Sequence, residues 1–233
     1  MANLVQLKML EDLNGFLLID KPAGIAFASV VKAVKRKFNL VKVGHGGSLE
    51  AQASGLFLIL LGDANKFVDR VMGADREYEL SVDFSLRTNT GDVQGVEGAR
   101  SAEFPPADLS GRLANCRGDV FQVEPRFAAI RKEGTADYEV VDTGEHKPFL
   151  GHIYRLEIAE GDEGKNPMRF SLLATKQILP RVVADDLGGA LSSCRRLKQG
   201  KFNVADAVAF DKLLAAEMKD FATFVTPLKE ALA

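Results

Sequence analysis

The sequence predicts an α+β domain built on a mixed or antiparallel sheet, and three observations carry that reading. The continuous apolar run at 56–61, L-F-L-I-L-L, reads as a strand buried on both faces. Two stretches at 153–159 and 168–174, joined by the polar turn E-G-D-E-G-K-N, read as paired strands. Strand-like and helix-like segments alternate irregularly, which disfavours a regular series of strand–helix–strand units.

In chain order, residues 16–19 are a short apolar strand that ends in the turn chemistry of Lys21-Pro22-Ala23-Gly24. Residues 29–38 place Val30, Val31, Val34 and Phe38 at helical spacing, with Lys32, Lys35, Arg36 and Lys37 on the opposite face. The glycine-rich turn V-G-H-G-G-S-L-E then leads into the 56–61 strand and sets His45, Ser48 and Glu50 beside it. A polar turn next to a buried strand holds its side chains on a rigid support, as a chemical site requires. Residues 63–72 read as a helix capped by Asp63. Residues 77–86 alternate as a half-buried strand, and 87–98 as a polar loop. A short helix follows Pro105-Pro106 through about residue 113, and 118–123 is strand-like until Pro125. The segment 126–134, R-F-A-A-I-R-K-E-G, is basic with one aromatic. Residues 180–191 predict a helix with proline at its start. The stretch 194–202, C-R-R-L-K-Q-G-K-F, is basic and acid-free, and 211–224 predicts a C-terminal amphipathic helix.

Composition narrows the function. The chain has 233 residues, 46% hydrophobic and 27% charged, with a formal net charge of −2. That is ample for a core and unlike a disordered chain. Net charge gives no sign of nucleic-acid binding, but local charge does. From Lys21 to Leu49 there are six basic residues and no acid, a local positive field suited to phosphates. A solvated helix face is the plainer account of such a stretch. The two cysteines and three histidines have no metal-ligand spacing, so free thiols in a reducing compartment and no metal are expected. The N-terminus lacks the pattern of a signal peptide, and no apolar run approaches a membrane span of ~20 residues. The expectation is a cytoplasmic protein with no membrane partner.

Seven stretches in order then carry a resemblance. They are G-F-L-L-I-D-K-P-A-G-I, V-G-H-G-G-S-L-E-A-Q-A-S-G-L, R-E-Y-E with R-T-N-T-G-D-V-Q-G, Q-V-E-P-R-F-A-A-I-R-K-E-G, and L-P-R-V-V-A-D-D-L-G-G with C-R-R-L-K-Q-G-K-F. Together they resemble the TruB-type pseudouridine synthases, which isomerise a uridine in the T-arm of tRNA. The resemblance implies a pseudouridine synthase fold, a central, mostly antiparallel mixed sheet flanked by helices. It implies a single catalytic-type domain over 1–233, with no separate C-terminal RNA-binding domain. It implies a reaction without metal or organic cofactor, and an RNA partner, a tRNA or rRNA stem-loop; a monomer is expected.

Site residues follow from the same resemblance. Glu50 stands at the position of the family's attacking Asp, Tyr78 at the Tyr that stacks on the target base, and Arg181 at the Arg beside the carboxylate. An Arg there favours the charged form of the carboxylate. His45 is assigned to the RNA backbone or the flipped nucleotide's vacated place. Lys21, Lys32, Lys35, Arg36, Arg126, Arg131, Arg195, Arg196 and Lys198 are the candidate phosphate contacts. The departures are as informative. The family Pro after the Asp is Ala51, the Tyr before the Arg is Leu179, the pocket Leu is Cys194, and a Lys is Arg76. Glutamate carries its carboxylate about 1 Å farther than aspartate, and such a misplacement can cost about 100-fold in rate. The sequence therefore predicts an RNA-binding homologue with impaired or lost isomerisation. The alternatives are an active synthase that uses Glu50 and a protein-interaction module that has lost RNA. Residue by residue, plainer roles stay open: Glu50 as a solvated loop acid, Tyr78 as a strand aromatic, His45 as a turn residue, and Arg181 paired with Asp185 on its own helix face.

Overall fold

The apolar run at 56–61 forms most of an inner strand, and all six of its side chains are buried. In the computed structural model residues 13–100, 104–131 and 137–229 are described, except for the side chains of 99 and 100. Two compact units are present, one of Met1–Ala74 with Arg196–Ala233, the other of Asp75–Arg195.

The first unit opens with β1 (Gly15–Lys21), the helix Phe27–Lys37, β2 (Val43–His45) and β3 (Ser54–Leu61). β1 runs antiparallel to β3 from Gly15 opposite Leu61 to Lys21 opposite Gly55, and β2 pairs with the far side of β3 through Val43 opposite Leu61. The helix buries Val30 and Val34 and leaves Lys32, Lys35, Arg36 and Lys37 exposed. It starts two residues earlier than the spacing predicts, because Phe27 turns in against Phe57, ring centroids 6.0 Å apart. The predicted 63–72 helix is a 3-10 turn, Gly62–Phe67, followed by the helix Val68–Gly73. Asp63 is not its cap: its backbone N–H donates to Asn14 Oδ1 at 2.6 Å, which places it inside the first turn. Phe16, Leu18, Leu56, Leu58, Leu60, Ala64 and Val71 make one apolar cluster.

The second unit contains β4 (Arg76–Asp83), β5 (Leu86–Thr88), β6 (Glu97–Arg100), the helix Leu109–Asn115 and β7 (Gly118–Gln122). It continues with β8 (Phe127–Arg131), β9 (Tyr138–Asp142), β10 (Phe149–Ile158), β11 (Met168–Ala174) and the helix Pro180–Leu187. Its strands lie in the order β4-β11-β10-β7, all antiparallel, with β5-β6 and β8-β9 as separate hairpins. The predicted pairing of 153–159 with 168–174 is present, Leu156 opposite Leu172. Both ends of the expected 87–98 loop belong to the β5-β6 pair, which the glycine-rich composition conceals. The predicted 180–191 helix ends at Leu187, because Gly188 turns left-handed at φ 100° and closes it.

The chain then runs as β12 (Ala190–Gln199) from the second unit into the first, followed by β13 (Phe202–Asn203), β14 (Val208–Ala209) and β15 (Val225–Pro227). β14 joins β1 in parallel and β15 joins it antiparallel, so the first unit's sheet is mixed. The expected C-terminal helix at 211–224 is interrupted. A helix Phe210–Ala215 gives way to extended backbone at Ala216 and Glu217, then a 3-10 turn Met218–Phe224. The break brings Phe221 onto Phe38 in a stacked pair with centroids 4.1 Å apart. Packing thus overrides the helical period. The architecture is α+β with mostly antiparallel strands, as the sequence predicts.

Candidate functional site

In the first unit the turn after β2 is held from beneath by three buried side chains. Gln199 Nε2 donates to Gly46 O at 2.5 Å, Arg196 Nη1 to Ser48 O at 3.1 Å, and Lys21 Nζ to Ala51 O at 3.3 Å. Lys21 Nζ also donates to Pro22 O and Ile25 O, each at 2.9 Å, and Arg196 Nε to Leu56 O at 2.7 Å. Gly24 N–H closes the same loop onto Ala51 O at 2.6 Å. Gly46 must be glycine, since a Cβ there would lie 2.8 Å from Val71 Cγ1 and 2.9 Å from Leu58 Cβ. Leu49 is buried as a plug, and Glu50, next in sequence, is exposed on this anchored backbone. Gln52 Nε2 donates to Glu50 Oε2 at 3.2 Å.

Two sequence expectations fail here. Lys21 and Arg196 are both 0% exposed with their charged groups on backbone carbonyls, so they are not phosphate contacts. Each charge instead satisfies carbonyls that burial would otherwise leave without donors. His45 lies against the rings of Phe27 and Phe57, at 5.1 and 6.2 Å, and its Nδ1 accepts from Gly47 N–H at 3.3 Å. That contact puts the ring proton of neutral His45 on Nε2.

In the second unit Arg181 lies in the first turn of the helix Pro180–Leu187, 3% exposed. Its Nη2 donates to Glu124 Oε1, and its Nη1 to Thr90 O and Phe127 O, both at 3.3 Å. Glu124 also reaches His146, Oε2 to Nδ1 at 3.7 Å, and His146 Nε2 contacts Thr143 Oγ1 at 3.0 Å. Asp185 is not the partner of Arg181. Arg87 claims it, through Nη2 at 2.5 Å and Nε at 3.0 Å, because Asp185 lies on the outward side of the helix while Arg181 points inward. Leu179 precedes the helix, its N–H donated to Gln122 Oε1 at 2.9 Å. Tyr78 is 5% exposed on β4 opposite Leu172, and Cys194 is 6% exposed on β12. Glu124 is the residue that sequence reasoning missed. Its signal was present, as an acid at a position where the family pattern Q-x-P-P has proline.

The remaining basic candidates differ in availability. Lys198 is exposed and Arg195 half-buried. Arg126 is exposed but held by Asp142, Nη2 to Oδ2 at 2.6 Å, a bond that raises its pKa and lowers that of Asp142. Arg131 lies over the Tyr138 ring, 5.8 Å from its centroid. Lys132, part of the same basic segment, lies outside the described residues. Among the described residues no cluster of three metal-binding side chains is present, and no helix is long and apolar enough to cross a membrane.

Comparison with known proteins adds the following. Residues 35–176 match the family profile described as TruB family pseudouridylate synthase, N-terminal domain. The tRNA pseudouridine synthase B of Ruegeria sp. (strain TM1040) is 31% identical over 237 residues, covering 96% of this chain and 77% of the relative. The protein of that name from Opitutus terrae is 30% identical over 233 residues, covering 95% of each. Among solved structures, a Cbf5-Nop10-Gar1 complex superposes with a TM-score of 0.70 at 19% identity, covering 97% of this chain and 63% of that one. An H/ACA RNP bound to a substrate RNA containing 2'-deoxyuridine gives a TM-score of 0.66 at 20% identity, covering 96% and 62%. The chain thus spans less than two thirds of those solved chains, and at such identities the likeness concerns the fold.

Proposed function

Because the chain belongs to the TruB family of pseudouridylate synthases, we propose that it binds a tRNA or rRNA stem-loop on this fold and isomerises uridine poorly or not at all. The observation that carries this reading is Glu124. In the family reaction the N-glycosidic bond to uracil breaks, the base turns, and a carbon–carbon bond to the sugar forms. A carboxylate must attack in its ionised form, and a neighbouring guanidinium favours that form. In this reading Glu50 is that carboxylate, Arg181 that cation, and Tyr78 the stacking face for a base taken out of the RNA. The Glu124 carboxylate already binds Arg181. A guanidinium already paired with one carboxylate favours the ionised form of another less strongly. The extra methylene of Glu50, the absent phenol at Leu179 and the smaller side chain of Cys194 each add to the loss.

Phosphate contacts supply most RNA affinity. The exposed Lys32, Lys35, Arg36 and Lys198 are untouched by any of these changes. Binding therefore outlives catalysis in this proposal.

The test is single-turnover incubation of excess protein with a T-arm hairpin, with pseudouridine read by mass spectrometry and binding by a filter assay. The wild type is expected to form the complex and little product. Glu50→Asp alone is expected to restore little. Adding Glu124→Pro, Leu179→Tyr and Cys194→Leu should restore more than the sum of the parts, since residues of one site couple. The second reading, an active synthase using Glu50, is favoured by the relatives named tRNA pseudouridine synthase B that align over most of the chain. Wild-type turnover at the rate of an ordinary synthase would establish it and overturn the first.

A further inference from the structure

In the second unit β7 (Gly118–Gln122) is the end strand of the order β4-β11-β10-β7, and among the described residues it pairs with β10 alone. In an antiparallel pair alternate residues aim their N–H and C=O groups away from the neighbour, so the outer side of β7 is a row of open backbone donors and acceptors. A cavity of about 450 Å³ runs along that side. Four consecutive strand residues line it, Asp119, Val120, Phe121 and Gln122, and so it follows the strand's edge rather than one of its faces. Arg112 of the helix Leu109–Asn115 and Asp186 of the helix Pro180–Leu187 line it too. Asp186 is exposed and forms no hydrogen bond or ion pair among the described residues, since Arg87 pairs with Asp185 and Arg112 with Asp108. Partial desolvation and the neighbouring Asp185 carboxylate push the Asp186 carboxyl up to about 6, as expected of a carboxylate without a cation. The face of β7 that carries Gln122 lies toward this helix, because Gln122 Oε1 accepts the N–H of Leu179. On the other face Phe121 and Leu150 stand opposite each other across the two strands, 76% and 51% exposed.

The edge thus combines an open backbone ladder, a reachable carboxylate on the helix side and an exposed apolar pair on the other. We propose that β7 is a docking edge for an extended peptide of a protein partner, in which lysine or arginine alternates with an apolar residue. The peptide adds as a strand beyond β7. Its backbone completes the open hydrogen bonds and supplies affinity, and its alternating side chains supply specificity. One set enters the cavity and brings a cation to Asp186. The other set lies beside Phe121 and extends the apolar face. Charge selects this occupant over a second copy of the chain, because the β7 of that copy, G-D-V-F-Q, would bring Asp119 and no cation. The proposal does not depend on whether the protein isomerises uridine.

The test uses the full-length protein and a short capped peptide of alternating lysine and valine, with binding read by fluorescence anisotropy. Three further peptides serve as controls. One has glutamate in place of lysine, one has the same residues with lysines and valines in separate blocks, and one is N-methylated at alternate residues so that it cannot complete a ladder. One saturable site is expected for the alternating peptide, with all three controls binding more weakly. Asp186→Asn should weaken the peptide about 10-fold, as loss of a charged hydrogen bond does. Phe121→Ser should also weaken it, with circular dichroism and the unfolding midpoint showing the fold retained. Hydrogen exchange should slow on peptide addition at the β7 amides that face away from β10. Slowing at those amides with protein concentration and no peptide would make a second copy the occupant and overturn the proposal. Absence of saturable binding would overturn it too, as would binding indifferent to N-methylation or to Asp186→Asn.

Discussion

Two basic stretches of similar charge, Lys32 to Lys37 and Arg195 to Lys201, take opposite courses in the structure. The first lies on the helix Phe27–Lys37, whose period of 3.6 gathers Val30 and Val34 on one side and leaves its four cations in solvent. The second lies largely on β12, whose period of two sends alternate side chains to opposite faces. Arg196 is therefore carried inward on the same face as Cys194, with Arg195 between them half-buried; Lys198 shares that alternation but is exposed, at the end of the strand where it pairs with Asn203. Once inside, the Arg196 guanidinium meets the carbonyls of Ser48 and Leu56 and becomes part of the support under the Glu50 turn. A run of cations marks a phosphate surface only after the period of its element is known.

The largest expected effect tests the buried half of that contrast. Arg196→Leu should lower unfolding stability by about 3 kcal/mol in urea titration, because two carbonyls lose their donors and each unsatisfied buried group costs about 1–3 kcal/mol. If stability were unchanged while RNA affinity fell, Arg196 would be a phosphate contact after all. Next comes the exposed half. Lys32→Glu, Lys35→Glu and Arg36→Glu together should reduce RNA affinity about 100-fold at moderate salt and flatten the dependence of log affinity on log salt by about 2 to 3. The unfolding midpoint should hardly move, since exposed substitutions seldom exceed about 0.5 kcal/mol each. A salt slope equal to that of the wild type would remove the helix from the interface.

Arg126 sharpens the comparison from a third direction, as an exposed cation that already has a carboxylate. Arg126→Ala should weaken RNA by only about 2- to 3-fold, less than Lys35→Ala, because Asp142 offsets its charge. A larger loss for Arg126 would mean that RNA displaces Asp142.

The smallest effect concerns pH. Partial burial in a cavity wall, together with the neighbouring Asp185 carboxylate, pushes the Asp186 carboxyl up to about 6. A carboxyl whose folded pKa is raised binds its proton more tightly in the folded state. Its contribution to stability is full below about pH 4 and is lost as pH rises through about 6. Asp186→Asn should therefore match the wild type at pH 4 and exceed it at pH 7.5, by no more than about 1 kcal/mol given the partial exposure of the side chain. Equal stability at both pH values would show that Asp186 titrates normally.

The sequence by itself determined the elements with strong local signals. The run at 56–61 had to be buried on both faces, the alternation at 168–174 had to pair, and proline at position 180 had to open a helix. The ordered motifs placed the family, and with it the proposal that Glu50, Tyr78 and Arg181 serve as its site. Only the tertiary structure decided the fate of individual polar groups. Lys21 sits beside a turn in sequence, yet its burial follows from carbonyls contributed by residues as far on as Ala51. Glu124 and Arg181 are 57 residues apart, and their pairing depends on how the helix Pro180–Leu187 enters its unit. Spacing also allowed one C-terminal helix where the Phe38–Phe221 stack required a break. Hydrophobic period is a local property that the chain states directly. The partner of a buried charge is set by packing between distant segments, because the cost of leaving that charge unsatisfied is met by whichever acceptors the fold brings within reach.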